Sequence, residues 1–409
     1  MMAGVLCACE MGAGRGHVTT LAATARALGP GVRLWAALPS LRHAGELEAQ
    51  GAKVVQAPAL RYTPEARADP ARAGNASWAD YLAACGLARA DAVRRGLTFW
   101  RKLIVDADVS LLVADYAPLA LLAARGLQAE GWQMVTLATG TGYGLPPATL
   151  SPLPQLLPDF DRVVQPEAET LALLNRVGGE AGLAPLSHLA ALYSADHVLV
   201  RSLALFDPYA AARPRGSLLA PETGGAVPKA HGGNAVFVYL STSELADPEL
   251  VEALAEVRLP RFGYLPGASP EVLARLAASG MELAEGPLAP SEIARRARLV
   301  LCAGQHGMLS LAALAGLPVV ALPQQLEQLF NARRAEAAGF ARLLWRGARQ
   351  RDAVRTVLRD AFADPVLAAN AAALGAQLRD SLGAAPDADL AARLAPVLAA
   401  THRAAATAG

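Results

Sequence analysis

Short runs of β-branched and other apolar residues alternate along this chain with longer Ala-, Leu- and Arg-rich segments whose apolar positions recur at helical spacing. A parallel sheet covered by helices produces that pattern, because its strands are buried on both faces while its crossovers are amphipathic. In the first half it predicts strands at Val5–Ala8, Arg33–Ala37, Lys53–Gln56, Leu111–Ala114, Met134–Ala138 and Val198–Arg201. Helices are predicted near His17–Leu28, Leu41–Gln50, Trp78–Ile104 (long enough to be broken), Leu119–Glu130 and Glu167–Val177, and the Pro-rich segment Gly144–Pro158 reads as a loop.

A second series follows a Pro- and Gly-dense stretch, with strands at Ala235–Leu240, Arg261–Tyr264, Met281–Leu283, Leu299–Cys302 and Val319–Leu322. Its helices are expected near Glu249–Ala255, Pro270–Ala278, Ser291–Ala297, Met308–Ala315 and Gln328–Ala337. The tail from Asp352 to Ala406 has helical period and no strand, so it is expected to pack across the back of both halves. The expected organisation is a Rossmann-like domain at 1–206, a linker at 207–233, a second Rossmann-like domain at 234–380 and a helical tail at 381–409. Two doubly wound α/β halves in series imply a cleft between them, with ligands at the carboxyl ends of the strands.

Composition narrows the class. The 409 residues are 53% hydrophobic and 18% charged, which excludes a disordered chain. Lys+Arg 37 against Asp+Glu 36 leaves a formal charge of +1, so no global field draws the chain to nucleic acid or to an anionic membrane. Lys occurs only at positions 53, 102 and 229, a coding bias toward Arg rather than a recognition surface, and no basic–aromatic interleaving points to nucleic acid. The four cysteines form no C-x-x-C pair, and Cys7 and Cys9 fall on one strand face, so a reducing cytoplasm is expected. The N-terminus lacks the basic start and apolar run of a signal peptide. Leu299–Leu326 carries no charged residue, yet its Gly and Pro interruptions suit a buried strand–turn–helix–strand unit and not a membrane span, so no transmembrane segment is expected.

Two Gly-rich turns offer chemistry. The first, Met11 to Thr20, runs from a strand into a helix with spacing G-x-G-x-G rather than the dinucleotide G-x-G-x-x-G, and Ala36-Ala37-Leu38-Pro39 replaces the acidic residue such a site needs. What remains is a tight turn over Gly14, Arg15 and Gly16 that carries His17 to a helix N-terminus, where the dipole disfavours the imidazolium. Asp115, just past a later strand, is placed to fix the tautomer of His17 and form a His–Asp base. The bland alternative makes His17 a helix cap and Asp115 the cap of the helix after Pro118.

The second turn, Val300 to Met308, presents N–H groups of Gly304, Gln305, His306, Gly307 and Met308 at a helix start, which suits a phosphate. After the next strand, Glu327 and Gln328 set a carboxylate beside an amide, a pair fit for sugar hydroxyls or simply for the first turn of a helix. The remaining histidines, His43, His188, His197, His231 and His402, fall outside any metal spacing, and the five tryptophans read as packing residues.

Gly16-His17 near the start, with Gly316-Leu317-Pro318-Val319-Val320 and Pro323-x3-Glu327-Gln328-x2-Asn331-Ala332 near the end, resembles the GT-B nucleotide-sugar glycosyltransferases, most of all bacterial proteins of the UDP-glycosyltransferase type. The resemblance spans Val5 to about Leu344 in order. It implies the GT-B fold, transfer of a sugar from a UDP- or dTDP-sugar to a small-molecule acceptor with inversion, and no metal or other cofactor. By position, His17 is then the base and Asp115 its helper. Ser241, Thr242 and the turn Gln305 to Met308 become phosphate contacts, Glu327 and Gln328 sugar contacts, and Pro287-Leu288 the uracil-side loop. Tyr143 and the Pro-rich loop fall on the acceptor side.

The departures lie at the second turn. Ala303 stands where many members have His, Met308 where they have a hydroxyl, and Leu311 near the place of a ribose-binding Glu. Each loss removes a contact of about 1–3 kcal/mol. They motivate a rival reading, a nucleotide-sugar-binding protein that kept the shell and lost the chemistry. A nucleotide-sugar 2-epimerase is a third reading, for which these motifs supply no additional acidic groups.

Overall fold

A computed structural model describes residues 3–12, 14–61, 77–156, 166–241, 243–345, 348–382 and 386–407. The chain divides into two compact units, Met1–Ala220 with Asp387–Gly409, and Pro221–Pro386.

The first unit is built on seven strands: β1 (Gly4–Ala8), β2 (Arg33–Leu38), β3 (Lys53–Gln56), β4 (Leu111–Asp115), β5 (Val135–Gly140), β6 (His197–Arg201) and β7 (Leu218–Leu219). They pair in the order β3-β2-β1-β4-β5-β6-β7, every pair parallel. β1, β4 and β5 are buried along their whole length, which is why they read as continuous apolar runs. The crossovers are α1 (Arg15–Leu28), α2 (Gly45–Glu48), α3 (Trp78–Leu82), α4 (Ala90–Asp106), α5 (Pro118–Ala129) and α6 (Glu167–Glu180). The expected helix at Leu41–Gln50 shrinks to the four residues of α2, preceded by a turn. The long stretch Trp78–Ile104 is broken by a π-turn at Ala83–Leu87, where Gly86 takes φ +122, a value that L side chains rarely adopt.

The second unit has six parallel strands, β8 (Ala235–Tyr239), β9 (Arg261–Tyr264), β10 (Glu282–Leu283), β11 (Ala297–Cys302), β12 (Val319–Ala321) and β13 (Ala341–Leu343), in the order β10-β9-β8-β11-β12-β13. Its helices are α7 (Pro248–Glu256), α8 (Pro270–Ala278), α9 (Pro290–Arg296), α10 (His306–Ala315), α11 (Leu326–Ala337), α12 (Arg351–Ala363) and α13 (Pro365–Leu382). Val236, Val238, Leu299, Leu301 and Val320 alternate onto one sheet face and pack with Leu250, Leu254 and Leu358 of α7 and α12.

The last helix, α14 (Pro386–Thr407), falls almost wholly within the first unit, so the helical tail is divided between the units. The division at Ala220/Pro221 lies inside the stretch read as a linker, whose first part is folded. There Asp207 accepts from Arg213 Nε at 2.5 Å, with side-chain exposures of 0% and 5%. Strands β7 and β13, absent from the predicted set, are two and three residues long, too short to carry a period of their own. Among the described residues no helix is long and apolar enough to cross a membrane.

Candidate functional site

Each sheet reverses its winding once. In the first unit β2 and β3 extend one side of β1 while β4 onward extends the other, and in the second unit β8 and β11 flank the same kind of reversal. Loops leaving adjacent strands diverge there, which opens a crevice at the carboxyl ends of the strands. His17 and Asp115 stand at the first of these points and Ser241 and Gln305 at the second, whereas Glu327 and Gln328 follow β12 and Pro287 and Leu288 follow β10 at the edge of its sheet.

In the first unit Ala8 of β1 stands opposite Ala114 of β4, so the chain leaves both strands side by side. His17 is the third residue of α1, and Asp115 is the last of β4 rather than a residue beyond it. His17 Nδ1 lies 3.3 Å from Asp115 Oδ2. The Asp115 side chain is 2% exposed and that of His17 20%, so the carboxylate is shielded while the imidazole still reaches solvent. Asp115 Oδ1 has no partner among the described residues. Asp115 does not cap the following helix, since α5 has no side-chain cap at Ala117.

That cap comes from Glu10, two residues beyond β1. Its Oε2 accepts from Leu119 N at 3.1 Å and its Oε1 from Ala120 N at 2.8 Å, in the first turn of α5. Glu10 is 1% exposed, and burial pushes its carboxyl up from 4.5 to about 8 against the lowering pull of those two N–H groups.

Of the glycines in the first turn, Gly12 is the one the geometry requires. Its φ is +80, and a Cβ there would lie 2.5 Å from His17 Nε2; Gly14 and Gly16 have open space around them. Arg15 is engaged with Glu46 of α2 at 2.6 Å. Tyr116 takes φ +51 and sets its ring 4.5 Å from the His17 ring, tilted by 57°. Its hydroxyl is 3.3 Å from Thr141 Oγ1, and a Cβ on Gly144 would collide with its ring. Trp78 meets both Tyr116 and Tyr143 edge-on at 5.4 Å. Tyr143, expected on the acceptor side, is 1% exposed, so its packing is within this aromatic cluster.

In the second unit Gln305 stands at the N-cap position of α10 with its side chain turned back from the helix. Its Oε1 accepts from Ala303 N at 3.0 Å and its Nε2 donates to Ser241 Oγ at 3.2 Å, joining the loops after β11 and β8. Gly304 has φ +90, and a Cβ there would sit 2.7 Å from Gln328 O, so α11 packs against its bare backbone. The first turn of α10, His306, Gly307 and Met308, has neither a side-chain N-cap bond nor an acidic residue of its own, so the helix itself places no carboxylate at its positive end. His306 is buried, which lowers its imidazole from 6.5 to about 4 and makes it a neutral polar group rather than a cation beside the turn.

Gln328 is buried, and its Oε1 accepts from Gln324 N at 2.8 Å, so its carbonyl closes the turn before α11; Glu327 beside it is half-buried. Arg349 Nη2 donates to Pro323 O at 2.7 Å and steadies the same turn. Pro287 and Leu288 lie in the loop between β10 and α9, the first exposed and the second half-buried. Thr242 lies outside the described residues. Among the described residues, no three His, Cys, Asp or Glu side chains form a group able to hold a metal ion.

Sequence reasoning missed Glu10, Gly12 and Tyr116 as site residues. A Glu two residues past an apolar strand was a visible signal. The positive φ of Tyr116 had none, since it depends on what packs around the loop.

The chain matches no known family model and no curated protein sequence. Solved structures do resemble it. Spinosyn rhamnosyltransferase SpnG aligns with TM-score 0.65 at 19% identity, over 97% of this chain and 99% of that one, and was also solved with thymidine diphosphate and with spinosyn aglycone. The calicheamicin glycosyltransferase CalG4 aligns with TM-score 0.64 at 18% identity, over 96% and 99%. Glycosyltransferase VinC, in complex with dTDP, aligns with TM-score 0.62 at 16% identity, over 98% and 100%. Matched along nearly its whole length, the chain has the GT-B fold of these glycosyltransferases.

Proposed function

We propose that this protein is a metal-independent glycosyltransferase that moves a sugar from a nucleoside-diphosphate donor to an acceptor hydroxyl with inversion. The observation that carries the proposal is the His17–Asp115 pair at the winding reversal of the first sheet. Two of the similar structures hold thymidine diphosphate, which supports a nucleotide-sugar donor, UDP- or dTDP-linked, for this chain as well.

In this reading His17 Nδ1 is held by Asp115, and Nε2 takes the acceptor proton as the acceptor oxygen bonds the anomeric carbon. The bond from that carbon to the phosphate oxygen breaks, and its electron pair leaves with the nucleoside diphosphate. Asp115 stabilises the imidazolium so formed. In the second unit the N–H groups at the start of α10 are assigned to the diphosphate, and Ser241 and Gln305 keep that turn in place. Glu327 and Gln328 are assigned to the sugar, and Pro287-Leu288 to the base. Gly14, Arg15, Gly16 and the aromatic cluster with Tyr143 support the acceptor side.

The test is transfer from a panel of UDP- and dTDP-sugars to apolar hydroxylated acceptors, with His17→Ala beside the parent. The reading expects turnover in the parent and a loss of about 10²–10⁴-fold in the variant. Unchanged turnover in the variant removes His17 as the base, and tight donor binding by calorimetry without transfer replaces the enzyme with a binding protein.

A further inference from the structure

We propose that Glu10 is a positioning residue for the His17–Asp115 pair, clamping the loop after β1 to the loop after β4 so that the two partners stay in register. The inference rests on the reading of that pair as a catalytic base.

Four hydrogen bonds carry it. The carboxyl of Glu10 takes the N–H groups of Leu119 and Ala120, one per oxygen. The N–H of Glu10 donates to Tyr116 O at 3.2 Å, and the carbonyl of Glu10 accepts from Leu60 N at 2.9 Å. One residue thus holds both Tyr116 of the β4–α5 loop and the first turn of α5 while being tied to the segment after β3.

What it grips matters for chemistry. Asp115 immediately precedes Tyr116, and Tyr116 is held with φ +51 and its ring against the His17 imidazole. That backbone conformation is costly for a non-Gly residue and persists only where its surroundings over-determine it. Glu10 supplies such constraint from the same loop that leads into α1 and His17. Among the described residues α5 has no N-cap side chain of its own, so the register of this turn depends on a residue 109 and 110 positions away in sequence.

The test substitutes Glu10→Gln, which keeps the shape but turns an amide NH₂ toward one of the two backbone N–H groups, and Glu10→Asp, which keeps the carboxyl group but is one methylene too short. The primary readout needs no substrate: the titration and tautomer of the His17 ring by NMR, assigned with His17→Ala. The proposal expects the ring signals and titration midpoint of His17 to move in both variants. It also expects turnover to fall roughly ten- to a hundredfold with the acceptor KM nearly unchanged. Should Glu10→Gln fail to fold, Glu10→Asp alone decides. A His17 titration identical to the parent's, in a folded variant of either kind, overturns the proposal and leaves Glu10 a helix cap. Failure of the underlying reading is separate: there His17→Ala retains transfer, whatever Glu10 does to the ring signals.

Discussion

His17 Nδ1 and Asp115 Oδ2 lie 3.3 Å apart although 98 residues separate them in sequence. In the proposed reading the pairing leaves Nε2 as the nitrogen for proton uptake, and it makes the amide variant of Asp115 the informative one. Asp115→Asn keeps the shape but removes the charge that favours the imidazolium. We expect turnover to fall about 10²–10⁴-fold with KM little changed, measured as separate kcat and KM for the acceptor.

Gly12 approaches the same ring at its Nε2 edge. In Gly12→Ala the new methyl meets His17 Nε2 and the residue must hold φ +80. A loss of at least about 1 kcal/mol in stability is expected from the backbone alone, read from denaturant unfolding. Activity should fall further than that stability loss accounts for, whereas Gly16→Ala, with open space at its Cβ, should be near neutral in both.

Two buried groups, Glu10 and His306, predict opposite pH dependences. Glu10 is raised to about 8 from 4.5, so between those values the folded chain keeps a proton that the unfolded chain releases. Its contribution to stability is complete below 4.5 and is lost as pH rises through about 8. His306 is lowered to about 4 from 6.5; its contribution is complete above 6.5 and is lost as pH falls through about 4. Melting temperatures across this range should show Glu10→Gln gaining on the parent as pH rises and His306→Gln gaining as pH falls.

Because His306 is neutral at physiological pH, the proposed reading gives it at most a neutral hydrogen bond to the donor. His306→Gln should weaken nucleoside-diphosphate binding by about 0.5–1.5 kcal/mol, not by the larger loss expected of a charged contact. Calorimetry from about pH 6 to pH 8 should show no inflection from this residue.

Cys7, Cys9, Cys85 and Cys302 are all buried, and burial raises each thiol, to about 12 for Cys7, Cys85 and Cys302. A thiol-specific reagent should label none of the four in the folded protein and all of them after denaturation. Rapid labelling of any one under native conditions would contradict this packing.

The two sheets and most of their crossovers were legible along the chain, because strands buried on both faces leave continuous apolar runs and amphipathic helices leave a period of 3.6. Lys53–Gln56 and Arg261–Tyr264 appear with the predicted limits. The aromatic residues were a different matter. Tyr143 reads as a pocket residue in sequence, and the structure buries it against Trp78, since nothing local to a loop records how deeply it is covered.

The sequence by itself determined the alternation of strands and helices, the two glycine turns and the presence of His17 and Asp115 near strand ends, all of which are set by residues within a few positions of one another. Only the tertiary structure decided that Asp115 serves the imidazole while Glu10 caps α5, that Gly12 is the glycine pressed against Nε2, and that Gln305 joins two loops through Ser241. These depend on strand order. Parallel pairing of β1 with β4 brings together groups about a hundred residues apart, and no local pattern encodes which buried acceptor will satisfy which distant N–H.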